Sequence, residues 1–240
     1  MDSLPEAPAP TSVLPVAPAW HTWLYLIYRV AAGWYLIERV PLTKSVPPRS
    51  AIPVYVGIIL TDIFLLVYVA WGVRLRQHSL AELIGGRWNS ARDFLRDCGT
   101  AVVFWIAALL ILGGVGRLLG VPPATRSLGR LIPHSGAELY VWMFVAISAG
   151  ISEEILYRGY LQRQFAFWTK NANVAMYLSA ALFGAGHLYQ GGKRAITMGV
   201  FGLHLGYLAE RRKSLRPGIL AHCWQDAVAG AVLFLFRRHG

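Results

Sequence analysis

Residues 146–158, AISAGISEEILYR, place two adjacent carboxylates, Glu153 and Glu154, after an apolar run, with Arg158 one turn later. A charged side chain at the bilayer centre costs on the order of 2.5–3.5 kcal/mol, so each one needs a reason. Adjacent helix positions differ by roughly 100°, so the carboxylates point in different directions. Glu154 and Arg158 have the spacing of a helix ion pair. We therefore expect this pair to support the helix end and Glu153 to face elsewhere, unless both glutamates contact headgroups.

The surrounding sequence is that of a membrane protein. Of its 240 residues, 55% are hydrophobic and 15% are charged, and the mean hydropathy is +0.45, which is too apolar for an ordinary soluble domain. We predict an all-α, polytopic transmembrane bundle with a water-accessible intramembrane cavity, because an open sheet in lipid leaves backbone groups unpaired. About seven spans are expected, near residues 21–40, 51–73, 98–119, 136–157, 173–190, 195–209 and 217–236.

Four regions are predicted along the chain. Residues 1–20 are expected to be a disordered Pro-rich tail, residues 21–135 a set of variable transmembrane helices, residues 136–236 the core that carries the polar motifs, and residues 237–240 a basic tail. The two cysteines do not suggest a disulfide framework.

The net charge of +11 does not indicate a nucleic-acid partner, because the basic residues lie at the ends of apolar segments. The two densest clusters, at 74–96 and 211–216, are expected on one side of the bilayer. We place that side and the N-terminus in the cytoplasm. The protein is expected to be integral to the membrane, in the plasma membrane if its source is bacterial.

Two further segments carry ionisable residues inside apolar sequence. His187 ends the small-residue-rich stretch FGAGH at 183–187, where a lone histidine is often only interfacial. His222 and Asp226 are four residues apart and share one helix face. Such a stripe forms a polar site or an ion path, although a His–Asp pair can also simply join two helices.

Together these residues provide the groups needed to add water to a carbonyl. Glu153 would take the proton, His187 would orient or share it, and His222 with Asp226 would face the developing oxyanion. A nucleophile mechanism fits less well, because no G-x-S-x-G elbow occurs and Cys223 lies beside the polar stripe.

The three motifs resemble those of the CPBP intramembrane proteases, which include the type II CAAX prenyl endopeptidases. That family's pattern is E-E-x-x-x-R, F-x-x-x-H and H-x-x-x-N; here the motifs occupy residues 153–158, 183–187 and 222–226. The resemblance covers roughly residues 136–236. It implies a helical core with a water-filled cavity, in which Glu153 and His187 activate water and His222 with Asp226 stabilises the oxyanion; the support from Glu154 and Arg158 is inferred from their spacing alone.

Two points concern the chemistry of this set. Glu153, His187, His222 and Asp226 could ligate zinc, but no H-E-x-x-H motif is present and a glutamate-activated water needs no metal, so we favour a mechanism without a cofactor. Asp226 stands where the family often has asparagine, and an ionised carboxylate cannot donate to an oxyanion. Asp226 is therefore protonated, orients His222 or binds a metal.

Alternatives remain at this point. The same fold could bind a partner without catalysis, as in peptide-toxin immunity or scaffolding, or the ionisable residues could form the relay of a proton-coupled carrier. The expected partners are the lipid bilayer and a membrane-embedded or lipid-anchored protein or peptide, and no residue selects a prenylated tail over other tails. Arg29 and Asp62 also lie in predicted spans, and we expect each at an interface.

Overall fold

In a computed structural model of the protein, residues 15–39, 50–122 and 131–237 are described, and these ranges are helical without β-strands. The helices, numbered here in chain order, are α1 (Ala19–Arg39), α2 (Ile52–Arg74), α3 (Leu80–Ile84), α4 (Ala91–Leu119), α5 (Gly136–Glu153), α6 (Gln162–Thr169), α7 (Ala172–Ala185), α8 (Gly192–Arg212) and α9 (Arg216–Arg237). A π-helix, Glu154–Leu161, joins α5 to α6, and a 3₁₀ turn, Leu188–Gln190, follows α7.

The helices confirm an all-α membrane protein but not the number of seven spans. Within the described ranges, four helices are long and apolar enough to cross a bilayer: α2, α4, the continuous helix Gly136–Thr169, and Arg216–Phe236 of α9. α7 is apolar but shorter. α1 and α8 form where spans were predicted, yet neither is among those four.

Packing into the bundle begins within the first few described residues. Val16 and Ala17 are buried, and the Ala17 amide donates to Gln164 Oε1 at 3.3 Å. Residues 1–14 of the predicted disordered tail and residues 238–240 of the predicted basic tail lie outside the described residues. These two predictions stay untested.

The helix that carries the two glutamates continues beyond the predicted end near residue 157, without a break, to Thr169. Its middle section is π-helical, and the Gln162 amide donates to the Tyr157 carbonyl five residues earlier. Such wide turns are frequent at functional sites, because they change the direction of the side chains. Arg158 therefore lies inside a long helix rather than at its end, which corrects the expectation from the sequence.

The two basic clusters meet at one end of the bundle, as predicted, because Arg216 Nη1 donates to the Arg87 carbonyl at 2.7 Å. Buried Asp97 forms ion pairs with Arg212 and Arg216, each at 3.0 Å. Further along α4 and α9, Trp105 Nε1 donates to Gln225 Oε1 at 2.7 Å. These contacts show that α4 and α9 run parallel, with a nearly constant offset in residue number.

α5 and α9 approach closely at Gly150. A Cβ atom at this position would lie 2.5 Å from Cys223 Sγ and 2.7 Å from its backbone nitrogen. The backbone of α9 would have to move away, and His222 is the adjacent residue. The glycine thus permits the close packing that places His222 beside the end of α5.

We expect Gly150→Ala to lower the free energy of unfolding by about 1–3 kcal/mol, as overpacking does, and to reduce any activity that depends on His222. Thermal unfolding in detergent measures the first effect. Gly113→Ala in α4 is the matched control, because a Cβ there meets nothing within 4 Å. Equal stability of the two variants would contradict the close approach.

Candidate active site

A cavity of about 270 Å³ opens between the helices at the centre of the bundle. Its lining comes mainly from α5, α8, α9 and the segment that follows α7. The four candidate catalytic residues all line it: Glu153, His187, His222 and Asp226. Its other lining residues are Ile58, Leu112, Leu131, Ile132, Pro133, Trp142, Val145, Ala149, Phe183, Tyr189, Gln190, Arg194, Met198, Phe201, Gln225, Ala229, Gly230 and Leu233. Mostly apolar walls around a few polar groups are typical of a binding site.

Glu154 is enclosed below this cavity and organises its neighbours. The residue is fully buried, and its Oε1 accepts from Arg158 Nη1 and from His222 Nδ1, each at 2.9 Å. The predicted ion pair is thus present. The bond to His222 was not predicted, because residue spacing in one helix says nothing about contacts to a helix 68 residues away.

Arg158 is also held on its other sides. Its Nη2 donates to the Gly202 carbonyl at 3.0 Å, and its guanidinium lies 4.5 Å from the centre of the Phe183 ring. A buried charge needs a counter-charge and further hydrogen bonds, and Arg158 has both. The pair connects the π-helix to α8 and α9, so it fixes three elements of the site.

His222 presents one ring nitrogen to the cavity. Its Nδ1 is engaged by the Glu154 carboxylate, which can only accept when ionised, so Nδ1 carries a hydrogen. Its Nε2 lies 3.7 Å from Glu153 Oε2 and 3.7 Å from Asp226 Oδ2. The imidazole therefore stands between two cavity carboxylates, and Glu154 fixes its orientation from behind.

His187 has a defined tautomer in its neutral form. Its Nδ1 lies 2.8 Å from the Phe183 carbonyl oxygen, which is an acceptor, so Nδ1 is protonated and Nε2 holds the lone pair. The ring packs between Phe183 and Tyr189. His187 lies after the end of α7, where the small residues of FGAGH allow α7 to approach α8.

Glu153 faces the cavity, as expected because adjacent helix positions differ by roughly 100° and Glu154 is directed toward Arg158. Its side chain is 28% exposed, whereas that of Glu154 is 1% exposed. Of the two cavity histidines, His222 lies within 4.0 Å of the Glu153 carboxylate, and His187 does not. His187 lines the same cavity at a greater distance, so any exchange between Glu153 and His187 passes through a water or a substrate atom.

Asp226 also faces the cavity, and its side chain is 34% exposed. Trp142 Nε1 donates to the Asp226 backbone carbonyl at 2.9 Å, which ties this turn of α9 to α5. The Asp226 carboxylate therefore remains available to the cavity and to His222.

Two charged residues of the predicted N-terminal spans lie beside the site. Asp62 is 8% exposed and accepts from Ser148 Oγ at 2.8 Å. Arg29 donates to Tyr157 Oη at 2.9 Å. Both come from the variable N-terminal helices, where no motif indicated a role. The sequence could have indicated these two residues only through their charge, because an ionisable side chain within an apolar span is costly in lipid.

The cavity side chains include nitrogen and oxygen donors that could in principle bind a metal. Within residues 15–39, 50–122 and 131–237, no three His, Cys, Asp or Glu side chains are grouped as ligands for one ion. His222 Nδ1 is already engaged by Glu154, and its Nε2 is 3.7 Å from each neighbouring carboxylate. With one nitrogen of His222 engaged by Glu154 and no group of three such ligands among the described residues, these side chains do not form a preformed zinc site of three or four ligands.

Comparison with known proteins finds a family model that matches part of the chain. Residues 135–228 match the family model of type II CAAX prenyl endopeptidase Rce1-like proteins. The matched segment begins at Ser135, the N-cap of α5, and ends within α9, so it contains all four candidate catalytic residues. No curated protein and no solved structure matches the chain. The match confirms the resemblance that the three sequence motifs indicated.

Proposed function

We propose that the protein is an intramembrane endopeptidase, because residues 135–228 match the Rce1-like CAAX endopeptidase model and the chain is an integral membrane protein. In this proposal, Glu153 and His187 activate the water that hydrolyses the peptide bond. The observation that carries the proposal is the convergence of Glu153, His187, His222 and Asp226 on one cavity. The substrate is a membrane-embedded or lipid-anchored protein or peptide.

Glu153 is the general base of this mechanism. Its carboxylate faces the cavity, Arg158 is bonded to Glu154 instead, and His222 Nε2 stays 3.7 Å away, so the Glu153 carboxylate is open to water. In the first step the water oxygen forms a bond to the carbonyl carbon while one water proton passes to Glu153. The carbonyl oxygen becomes the oxyanion of a tetrahedral intermediate. A positioned general base contributes roughly 10²–10⁴-fold to such a step.

His187 orients the water. Its Nδ1–H is occupied by the Phe183 carbonyl, so Nε2 can accept a hydrogen bond from the water that Glu153 deprotonates. Two acceptors on one water direct its lone pair toward the substrate carbon. A water bridging Glu153 and His187 agrees with their separation in the cavity.

His222 and Asp226 are assigned to the oxyanion side. With both nitrogens protonated, His222 keeps one hydrogen bond to Glu154 and donates the other from Nε2 into the cavity, toward the developing negative charge. Asp226 lies 3.7 Å from that nitrogen and orients it, or donates itself when protonated. In the last step the C–N bond breaks, and the proton held by Glu153 passes to the leaving amine.

The test is hydrolysis by the purified protein reconstituted in liposomes. Membrane-anchored peptides are incubated in H₂¹⁸O, and the products are analysed by mass spectrometry. We expect one new amine and one carboxyl product carrying a single ¹⁸O atom, because water adds directly to the carbonyl. Specific peptide binding without any product would overturn the proposal and favour a non-catalytic binding protein of the same fold.

Removal of metal ions provides a separate test of the mechanism. We expect chelation with EDTA or 1,10-phenanthroline to leave the initial rate of cleavage within about two-fold of the untreated protein, because the acid–base groups already present can supply the chemistry. Full loss of activity on chelation, with recovery on addition of Zn²⁺ alone, would show that the cavity residues rearrange around a metal.

A further inference from the structure

Arg29, in the middle of α1, lines an apolar groove of about 230 Å³ beside the candidate active site. Gly186 and Leu188 line this groove, whereas His187 and Tyr189 line the catalytic cavity, so the segment after α7 forms a wall between the two. Among the described residues that line the groove, Arg29 is the charged one. A guanidinium in an apolar setting carries a cost of desolvation, so its partners indicate its role.

Arg29 is bonded to the π-helix and not to a carboxylate. Its Nη2 donates to Tyr157 Oη at 2.9 Å. None of the carboxylates in the described part of the chain forms an ion pair with it. A charge in such a place is costly unless it is paired, and the hydrolytic mechanism gives this one no role. The bond to Tyr157 therefore calls for a reason of its own.

Gly186 is the point at which these groups meet. A Cβ atom at this position would overlap Arg29 Nη2 and would lie 3.2 Å from Tyr157 Oη. The same atom would lie 3.3 Å from the Phe183 carbonyl oxygen. Any side chain at residue 186 would push the guanidinium away from the hydroxyl. The second glycine of FGAGH thus permits α1 to reach the π-helix.

The orientation of His187 depends on the same contacts. His187 lies beyond the last residue of α7, where the regular backbone bonds of a helix no longer continue, and its amide donates to the Gly184 carbonyl at 2.9 Å. Its Nδ1 is bonded to the Phe183 carbonyl. The Phe183 ring in turn packs edge-on against the ring of Tyr157, with 5.1 Å between the centroids. Arg29 holds Tyr157 from the other side.

We propose that Arg29 is a positioning residue for His187: it holds Tyr157 and the turn at Gly186, so that His187 Nε2 stays directed at the water. This inference rests on the proposed function and deepens it. Arg29 lies outside residues 135–228, so the matched family segment assigns it no role. The site is then complete only with α1, which the N-terminal part of the chain supplies.

The first test is single-turnover cleavage by the full chain in nanodiscs of phosphatidylcholine. Arg29→Met keeps an unbranched side chain but removes the donors. We expect the rate of the chemical step to fall by roughly 10- to 100-fold, because a misplacement of about 1 Å has an effect of that size. Peptide affinity, measured with Glu153→Gln as the parent, should change by about two-fold or less, since only the chemical step is affected. Arg29→Lys retains a charged donor and should recover part of the rate.

Gly186→Ala provides the same displacement without changing Arg29. We expect a similar loss of rate, and the double variant Arg29→Met/Gly186→Ala should lose no more than either single variant, because both changes remove one contact. Arg117→Met removes an exposed cation from α4 and should cleave within about two-fold of the wild type. Losses that multiply in the double variant would overturn the proposal.

Tyr157→Phe decides the question if Arg29→Met does not fold. This substitution removes only the hydroxyl that Arg29 contacts and leaves the ring that packs on Phe183. The rate should fall with peptide affinity unchanged. An unchanged rate in Tyr157→Phe would overturn the role of Arg29.

A measurement that does not depend on hydrolysis separates this proposal from the proposed function. ¹⁵N NMR of histidine-labelled protein distinguishes the two neutral tautomers, and His187→Gln identifies the signal of His187. In the wild type we expect protonation at Nδ1, and in Arg29→Met a mixture of tautomers. This change, without cleavage by the wild type, would overturn only the proposed function. An unchanged His187 signal in Arg29→Met would overturn the role of Arg29, whether or not the wild type cleaves.

Discussion

Glu153→Gln should reduce the rate of peptide-bond cleavage by at least about 100-fold, because a positioned general base contributes roughly 10²–10⁴-fold. The substitution keeps the size of the side chain and its polar contacts with the cavity but removes the proton acceptor. The measurement is single-turnover cleavage by the reconstituted protein, with saturating enzyme, so that weaker substrate binding does not enter the rate.

The same variant should remain folded. Glu153 is partly exposed to the cavity and is not bonded to Arg158, so its neutral analogue leaves no buried cation without a partner. We expect an unfolding midpoint close to that of the wild type. Glu82→Gln, at an exposed position in α3, is the matched loss of a carboxylate and should cleave within two-fold of wild type. If Glu153→Gln kept a tenth or more of the wild-type rate, another group would have to be the base.

The pattern of charges predicted the core of this site well, for a physical reason. Ionisable side chains are costly in lipid, so those at Glu153, His222 and Asp226 had to share a polar space. The four-residue spacings placed Glu154 with Arg158, and His222 with Asp226, on common helix faces. These relations lie within single helices, where the geometry is fixed by the backbone, and the structure shows both pairs close together.

The contacts between helices could not be obtained in this way. Nothing in the spacing of residues indicates that Glu154 bonds to His222, or that Asp62 reaches Ser148. The π-helix at Glu154–Leu161 was also missed, because a pattern read at α-helical spacing does not indicate a wider turn. The number of seven spans stays unconfirmed, because helices such as α8, which form where spans were predicted, are not among the four described helices that are long and apolar enough to cross a bilayer.

The adjacent glutamate should behave in the opposite way to Glu153. Glu154→Leu leaves Arg158 buried, with its guanidinium still bonded to the Gly202 carbonyl but without a counter-charge. Removing one partner of a buried pair typically destabilises a protein by about 3–5 kcal/mol. We therefore expect a large fall in the unfolding midpoint in detergent, whereas Glu153→Gln changes it little.

A double substitution separates the two roles of Glu154, which are to balance the charge of Arg158 and to hold the His222 ring. In Glu154→Leu/Arg158→Leu no unpaired buried cation remains, so stability should recover at least in part, as for other buried pairs replaced by apolar residues. Cleavage should not recover, because His222 Nδ1 still lacks the acceptor that holds its ring toward the cavity. Recovery of both would mean that Glu154 only balances charge, and recovery of neither would mean that the pair is needed to form the π-helix itself. The expected split, stability without cleavage, makes Glu154 a positioning residue for His222.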